Sequence, residues 1–138
     1  MHLQLGRTID HLQLRVADLD ATRRFYTAVL EALGRELIAE PGHLRIDELH
    51  ISDNGPVTAN LHLAFQAADH EAVQRFHAAG LAAGGTDNGG PGERDYRPGY
   101  YAAFVLDPDG NNIEAVAFPV VARSAPSIDV ELPGDQRP

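Results

Sequence analysis

A chain of 138 residues is long enough for one ordinary domain core and too short for two independent large ones. Its 20 acidic residues and 11 Lys and Arg residues give a net charge of −9 without a basic stripe, so nucleic acid is not an expected partner. The absence of cysteine excludes disulfides and thiolate ligands, and no apolar run approaches the roughly 20 residues needed to cross a membrane. Because no secretory signal is evident either, a cytoplasmic location is the expectation.

The first part of the chain is predicted to form a strand, a helix and three more strands. Alternation of apolar and polar residues predicts a strand over 9–16. Helical spacing of the next apolar residues predicts a helix that Asp18 or Asp20 caps and that ends at Gly34. Short strands are expected near 35–40, 43–47 and 48–53. This βαβββ order defines a first module over about 8–55.

The second part of the chain repeats the first. The segment LHLAFQAADHEAVQRFH at 61–77 aligns without a gap on DHLQLRVADLDATRRFY at 10–26, with an offset of 51 residues that pairs His11 with His62. The other identities pair Leu12 with Leu63, Ala17 with Ala68, Asp18 with Asp69, Ala21 with Ala72, Arg24 with Arg75, and Phe25 with Phe76. A repeated unit of this size buries its sheet against its twin. We therefore expect one α+β domain over 1–118, made of two tandem modules.

The second module, over about 59–118, is predicted to have the same order of elements. A strand over 60–67 precedes a helix from about 69 to 79, which Gly80 is expected to end. The module closes with a hairpin whose strands are 100–106 and 111–118, joined by the DPDG turn at 107–110.

The segment 119–138 contains four prolines and mixed charge, which predicts a C-terminal tail on the surface. Within it, residues 127–132 alternate between polar and apolar. They could add an edge strand to this subunit or to a neighbouring one.

Alternation also predicts which polar side chains share a face. If the apolar residues of each strand face the helices, the opposite face receives His11, Gln13, Arg15, Glu48, His50, Ser52, His62, Ala64, Gln66, Asn112 and Glu114. Two neutral imidazoles and a carboxylate are a suitable ligand set for a divalent transition metal with open positions for substrate or water. A single strand histidine is usually structural, but here the histidine recurs in both copies. The pattern therefore predicts a metal site.

The remaining histidines and the glycine-rich segment 85–99 are interpreted differently. We expect His2, His43, His70 and His77 to be surface residues. The segment 85–99 has the composition of a mobile cover. Residues there and just beyond that could touch a ligand are Arg94, Tyr96, Arg97, Tyr100 and Tyr101. Parity assigns Tyr101 to the polar face, so it is the favoured one.

Three stretches carry a resemblance to a known family: IDHLQLRVADLDATRRFY, LHLAF and GYYAAFVLDPDGNNIEAV. Over about residues 8–118 the chain resembles the vicinal oxygen chelate superfamily. That superfamily includes glyoxalase I, extradiol dioxygenases, fosfomycin-resistance transferases and bleomycin-resistance proteins. The resemblance implies two βαβββ modules that close into a U-shaped, barrel-like mixed sheet around a metal, commonly in a homodimer.

The resemblance also implies a ligand set. It places the metal ligands of the family on His11, His62 and Glu114, which we expect to point into one cavity. A fourth ligand from the last strand of the first module falls on Glu48 or His50. His50 is slightly favoured because an imidazole costs less to bury unpaired than a carboxylate. The expected cofactor is a divalent ion of Fe, Mn, Ni or Zn.

The function expected from this set is a metal-dependent enzyme that acts on a small molecule, either a lyase or isomerase or a ring-cleavage dioxygenase. Glu48 is then the candidate base, and Tyr101 a second candidate catalytic group. The alternatives are a binding protein that sequesters a small toxic compound without turnover and a transferase like those of fosfomycin resistance. A fold that supports all of these does not choose among them.

Overall fold

A computed structural model describes residues 2–5, 8–120 and 128–131, and it contains two successive units of the βαβββ type, the second of which has one additional short strand. An additional strand, β1 (His2–Leu5), precedes the first unit. The first unit consists of β2 (Leu12–Arg15), α1 (Leu19–Ala32), β3 (Ile38–Glu40), β4 (His43–Ile46) and β5 (Leu49–Ser52). The second consists of β6 (His62–Gln66), α2 (His70–Ala82), β7 (Thr86–Asp87), β8 (Gly92–Glu93), β9 (Tyr101–Leu106) and β10 (Asn112–Ala117), and β11 (Ile128–Glu131) follows it. The predicted α+β class and the predicted duplication are confirmed.

Each module forms its own mixed sheet. The first sheet has the order β2-β5-β4-β3, and the second has the order β6-β10-β9-β7 with β8 also paired to β9. In both, the first strand of the module lies parallel to the last one, and the other pairs are antiparallel. β2 and β6 are terminal strands of separate sheets, so the described strands do not close into the barrel-like sheet that was expected.

The predicted edge strand in the tail is present and pairs within the chain. β11 lies antiparallel to β1, with His2 opposite Glu131 and Leu5 opposite Ile128. These two strands form a separate two-stranded sheet, and the rest of the tail beyond residue 120 lies outside the described residues.

Both helices begin at an aspartate. The carboxylate of Asp18 accepts a hydrogen bond from the backbone N–H of Ala21, and Asp69 does the same for Ala72, so each satisfies a donor that the first helical turn leaves unpaired. Asp18, rather than Asp20, is therefore the cap of α1. Gly34 follows the end of α1 with a φ of 74°, as predicted. Among the described residues, neither helix has the length and apolar character to cross a membrane.

The prediction that Gly80 ends the second helix is wrong. α2 continues to Ala82, and the left-handed residue that follows it is Gly84, with a φ of 96°. A β-carbon on Gly80 would lie 3.2 Å from the methyl groups of Val105 and 3.3 Å from a methyl of Val29. Gly80 is thus a place where the helix packs closely against β9 and α1, which is a different use of glycine from a helix stop.

The core lies between the helices and the apolar faces of the two sheets. The buried side chains of α1 recur at helical spacing, and those of α2 pack beside them. The largest fully buried apolar side chains are Tyr26, Phe25, Phe76, Leu14, Leu30, Leu44, Ile51 and Ile113. Because both modules contribute to this one core, neither sheet is buried alone.

Asp107, the first residue of the DPDG turn, joins the last hairpin to the first module. Its Oδ1 accepts hydrogen bonds from the backbone N–H groups of Asp109 and Asn111, each at 2.9 Å. Its Oδ2 accepts a hydrogen bond from the hydroxyl of Tyr26 on α1 at 2.7 Å. Both Asp107 and Tyr26 are buried. The turn is therefore a contact between modules as well as a hairpin connection.

Replacing Gly85 with alanine is expected to destabilise the fold by about 1–3 kcal/mol, the usual cost of overpacking. An added β-carbon would lie 2.5 Å from Val105 Cγ1 and 2.7 Å from both Phe25 Cε2 and the carbonyl oxygen of Gly80. Gly90→Ala is the matched control, because nothing lies within 4 Å of a β-carbon there. Urea unfolding of both variants measures the difference, and equal midpoints would contradict the packing argument.

Candidate functional site

The second module brings three polar groups together on the face opposite the helices. Glu114 on β10 is 2% exposed, and its Oε2 lies 2.8 Å from the Nε2 of His62 on β6. The hydroxyl of Tyr100, just before β9, donates a hydrogen bond to the other carboxylate oxygen. His62 and Glu114, two of the predicted ligands, are therefore in direct contact.

Tyr100 is held in its protonated form. Burial first, and then the hydrogen bond and negative charge of Glu114, raise the pKa of Tyr100 to about 12. The guanidinium of Arg97 lies over the ring of Tyr100 at 5.2 Å and over that of Phe118 at 3.9 Å, and the two rings are themselves stacked. The phenol is thus a fixed hydrogen-bond donor to a buried carboxylate.

The first module brings histidines together on its corresponding face. The rings of His11 and His50 lie 5.7 Å apart, centroid to centroid, and His43 Nε2 lies 2.8 Å from His50 Nδ1. Burial first, and then the positive charges that His43 and His11 carry when protonated, lower the pKa of His50. The lowered pKa favours the neutral imidazole, which is the form that binds metal ions.

Strand register identifies His50 as the counterpart of Glu114. Gln13 lies opposite His50 in the first sheet, and Ala64 lies opposite Glu114 in the second. Gln13 and Ala64 are separated by the same 51-residue offset that relates His11 to His62. Each module therefore carries one pair of side chains at equivalent places: His11 with His50, and His62 with Glu114.

The expectation of one cavity that holds His11, His62 and Glu114 does not match the described chain. Within the residues that the structure describes, no group of three or more His, Asp or Glu side chains is arranged to hold a metal ion. His62 meets Glu114 in one module, and His11 lies beside His50 in the other. The four candidates form two pairs, one for each module.

The prediction that Tyr101 lies on the polar face is wrong. Tyr101 lies opposite Ala117 on the apolar side of the second sheet, where its ring stacks on His70 of α2 at 3.8 Å. The residue on the face of Glu114 is Tyr100. The DPDG turn sets the register of the hairpin and places Phe104 opposite Glu114. Counting back from Phe104 in steps of two would have identified Tyr100 from the sequence.

His43 is not the surface residue that was expected. It is the first residue of β4, it is only partly exposed, and it bonds to His50. Its own strand contained the signal, since Leu44 and Ile46 alternate with His43 and Arg45. His77 of α2 bonds to Asp87 at 2.9 Å, and this contact does not involve either pair.

A cavity of about 520 Å³ lies between the edge strands of the two sheets. Its walls are mostly apolar and include Leu12, Leu49, Leu63 and Phe65. Glu48, the predicted base, is part of this lining, whereas none of the four candidate metal ligands is. The cavity and the polar faces are therefore distinct features of the molecule.

Comparison with known proteins agrees with the fold. The model of the Glyoxalase/Bleomycin resistance protein/Dioxygenase superfamily matches residues 8–115. A crystal structure of a glyoxalase/bleomycin resistance protein from Albidiferax ferrireducens T118 is 34% identical in sequence, with a TM-score of 0.68. That match covers 80% of this chain and 98% of the other.

Two more distant structures share the fold. A glyoxalase-related enzyme from Fulvimarina pelagi is 20% identical with a TM-score of 0.66, covering 91% of this chain and 99% of the other. A glyoxalase/bleomycin resistance protein/dioxygenase family enzyme from Burkholderia phytofirmans PsJN is 21% identical with a TM-score of 0.61, covering 80% and 98%. No protein of curated function matches the chain. The match over residues 8–115 shows that this chain belongs to the Glyoxalase/Bleomycin resistance protein/Dioxygenase superfamily.

Proposed function

We propose that the protein is a divalent-metal-dependent enzyme that acts on a small molecule with neighbouring oxygen atoms. Its site forms between two copies of the chain. One copy contributes His11 and His50, and the other contributes His62 and Glu114. A homodimer would then contain two identical sites, as two-fold symmetry requires.

The observation that carries the proposal is the division of the candidate ligands into two pairs. A catalytic zinc-type site usually has three protein ligands and an open position, so two side chains are too few. Each module has one pair at an equivalent place, and no larger set occurs among the described residues. A second copy supplies the missing pair. β2 and β6 are the terminal strands of their sheets and are available for such an interface.

The donor set fits the expected metals. Imidazoles and a carboxylate suit Fe, Mn, Ni and Zn, and a bound ion of this kind polarises substrate oxygens as a Lewis acid. In this arrangement Tyr100 orients the carboxylate of Glu114 through its hydrogen bond. Glu48 lines the separate apolar cavity, and its assignment as the base for proton transfer in a lyase or isomerase stays a prediction. Bound iron would instead favour ring-cleavage dioxygenation.

A heterodimer experiment tests the shared site. His11→Ala and His62→Ala chains are co-expressed with different affinity tags, and the mixed dimer is isolated without chelators. Because one of its two sites receives both intact pairs, we expect about half the metal content of the parent dimer. Each variant alone should retain almost none. The matched control is the mixed dimer of His62→Ala and Glu114→Ala chains. Both of its sites lack a ligand from the second module, so its metal content should be almost zero.

Three outcomes count against the proposal. A monomer in analytical ultracentrifugation contradicts the dimer. A parent protein that binds metal, combined with a His11→Ala/His62→Ala dimer that does not, contradicts sharing between chains. A parent protein without affinity for any of the four metals contradicts the metal-dependent enzyme.

The apolar cavity supports a second candidate, a binding protein without turnover. About 520 Å³ between the sheets is enough volume for a small organic ligand, and aliphatic side chains predominate in its walls. Thermal-shift screening of hydrophobic compounds in the presence of EDTA separates the candidates. A stabilising ligand that needs no metal would favour sequestration.

A further inference from the structure

A chain of hydrogen-bonding groups crosses three strands of the first module and ends at His50. Glu40 on β3 has its Oε2 3.3 Å from the Nδ1 of His43 on β4, and the Nε2 of His43 lies 2.8 Å from the Nδ1 of His50 on β5. The two rings are inclined by only 20° with centroids 4.9 Å apart, as expected for imidazoles that meet edge to edge through a hydrogen bond. None of the functions described above uses His43.

The position of each proton follows from the donors and acceptors. A carboxylate only accepts hydrogen bonds, so the Nδ1 of His43 must be the donor to Glu40. In neutral His43 the Nε2 then carries a lone pair and accepts from Nδ1–H of His50. Neutral His50 with its proton on Nδ1 has an unprotonated Nε2. Glu40 stays ionised because the hydrogen bond from His43, and then the charge of Arg45, lower its pKa despite an opposing effect of desolvation.

The other histidine of the module has the same arrangement. The Oδ1 of Asp10 lies 2.6 Å from the Nδ1 of His11, so a carboxylate also holds the Nδ1 proton there and leaves Nε2 as the donor atom. Groups that orient a metal-ligating histidine commonly bond in this way to the ring nitrogen that faces away from the metal. In the second module, by contrast, His62 uses Nε2 to contact Glu114 directly.

We infer that His43 is a positioning residue that, together with Glu40, fixes His50 in the tautomer with its proton on Nδ1 and its Nε2 lone pair available. The importance of this tautomer for metal binding rests on the proposed function. The tautomer itself does not, because it is a property of the metal-free chain. The two can therefore be tested separately.

Heteronuclear NMR of metal-free protein labelled at histidine tests the inference directly. In the parent we expect the His50 signals of an Nδ1–H imidazole. His43→Leu removes the acceptor at similar side-chain size, and His50 should then show a mixture of tautomers or the Nε2–H form. His43→Gln retains an acceptor oxygen and should restore the Nδ1–H form. An Nε2–H tautomer in the parent, or the same tautomer in parent and His43→Leu, would overturn the inference.

Zn²⁺ affinity, measured by competition with a chelating dye, gives the second readout. Loss of an orienting partner typically weakens metal binding by roughly 10- to 100-fold, which is the decrease expected for His43→Leu, with recovery in His43→Gln. His77→Leu is the matched control, because it breaks a histidine–carboxylate contact on α2 and should leave Zn²⁺ affinity unchanged. If the parent binds no Zn²⁺ while His50 has the expected tautomer, the proposed function fails and the inference stands.

Discussion

Replacing Asp107 with alanine is expected to lower the free energy of unfolding by about 3–5 kcal/mol, because it removes the acceptor of several buried hydrogen bonds at once. The variant leaves the Tyr26 hydroxyl without its partner in the core and frees two backbone donors of the turn. Urea denaturation, with the slope compared between variants, measures the loss. Asp95→Ala, at an exposed position, is the control and should change little.

Tyr26→Phe separates the contact between modules from the turn. It removes only the hydroxyl, so about 1.5–3 kcal/mol should be lost, the usual contribution of a hydrogen bond to a charged group. The double variant should have nearly the same free energy of unfolding as Asp107→Ala, because both changes delete the same hydrogen bond. If Tyr26→Phe leaves the free energy of unfolding unchanged, the hydroxyl does not hold Asp107 and the hairpin is anchored by other contacts.

Replacing Glu114 with glutamine is expected to weaken metal binding by more than about 100-fold, a larger effect than the loss of an orienting partner alone. An amide of the same shape can still accept from Tyr100 and donate to His62, so the fold should persist while the negative charge disappears. Metal affinity and the circular dichroism spectrum are measured on the same preparation.

The controls for Glu114 examine its surroundings. Tyr100→Phe removes the donor to one carboxylate oxygen and should give an intermediate loss of metal affinity. Glu93→Gln changes the same charge at an exposed place on β8 and should have no effect. Unchanged metal binding in Glu114→Gln would remove Glu114 from the ligand set.

The sequence predicted the features that repeat or alternate. The matching segments around His11 and His62 identified the duplication, and alternation placed Asn112 and Glu114 opposite the apolar face of β10. Asp18 and Gly34 were recognisable because a helix cap and a left-handed glycine depend on neighbouring residues only. Such local rules act over a few residues and are visible without a fold.

What the sequence left open depends on contacts between distant elements. Gly80 looks like a helix stop until Val105 is found against it. Tyr100 and Tyr101 are adjacent, and only the register of β9 on β10 determines which one faces Glu114. Likewise, Glu48 and His50 have the same parity, and the position opposite Gln13 distinguishes them. The division into two pairs is a property of how whole modules are arranged, which neither spacing nor alternation encodes.

The equivalence of His50 and Glu114 also affects the charge of the proposed site. Three neutral imidazoles and a single carboxylate would leave a bound divalent ion with one uncompensated positive charge, whereas a carboxylate at both equivalent places would cancel it. Such a centre attracts anionic oxygens and lowers the energy of a substrate that becomes negatively charged during reaction. The first module has the imidazole of His50 where the second has the carboxylate of Glu114. This single difference would thus make the proposed site favour substrates with negative charge.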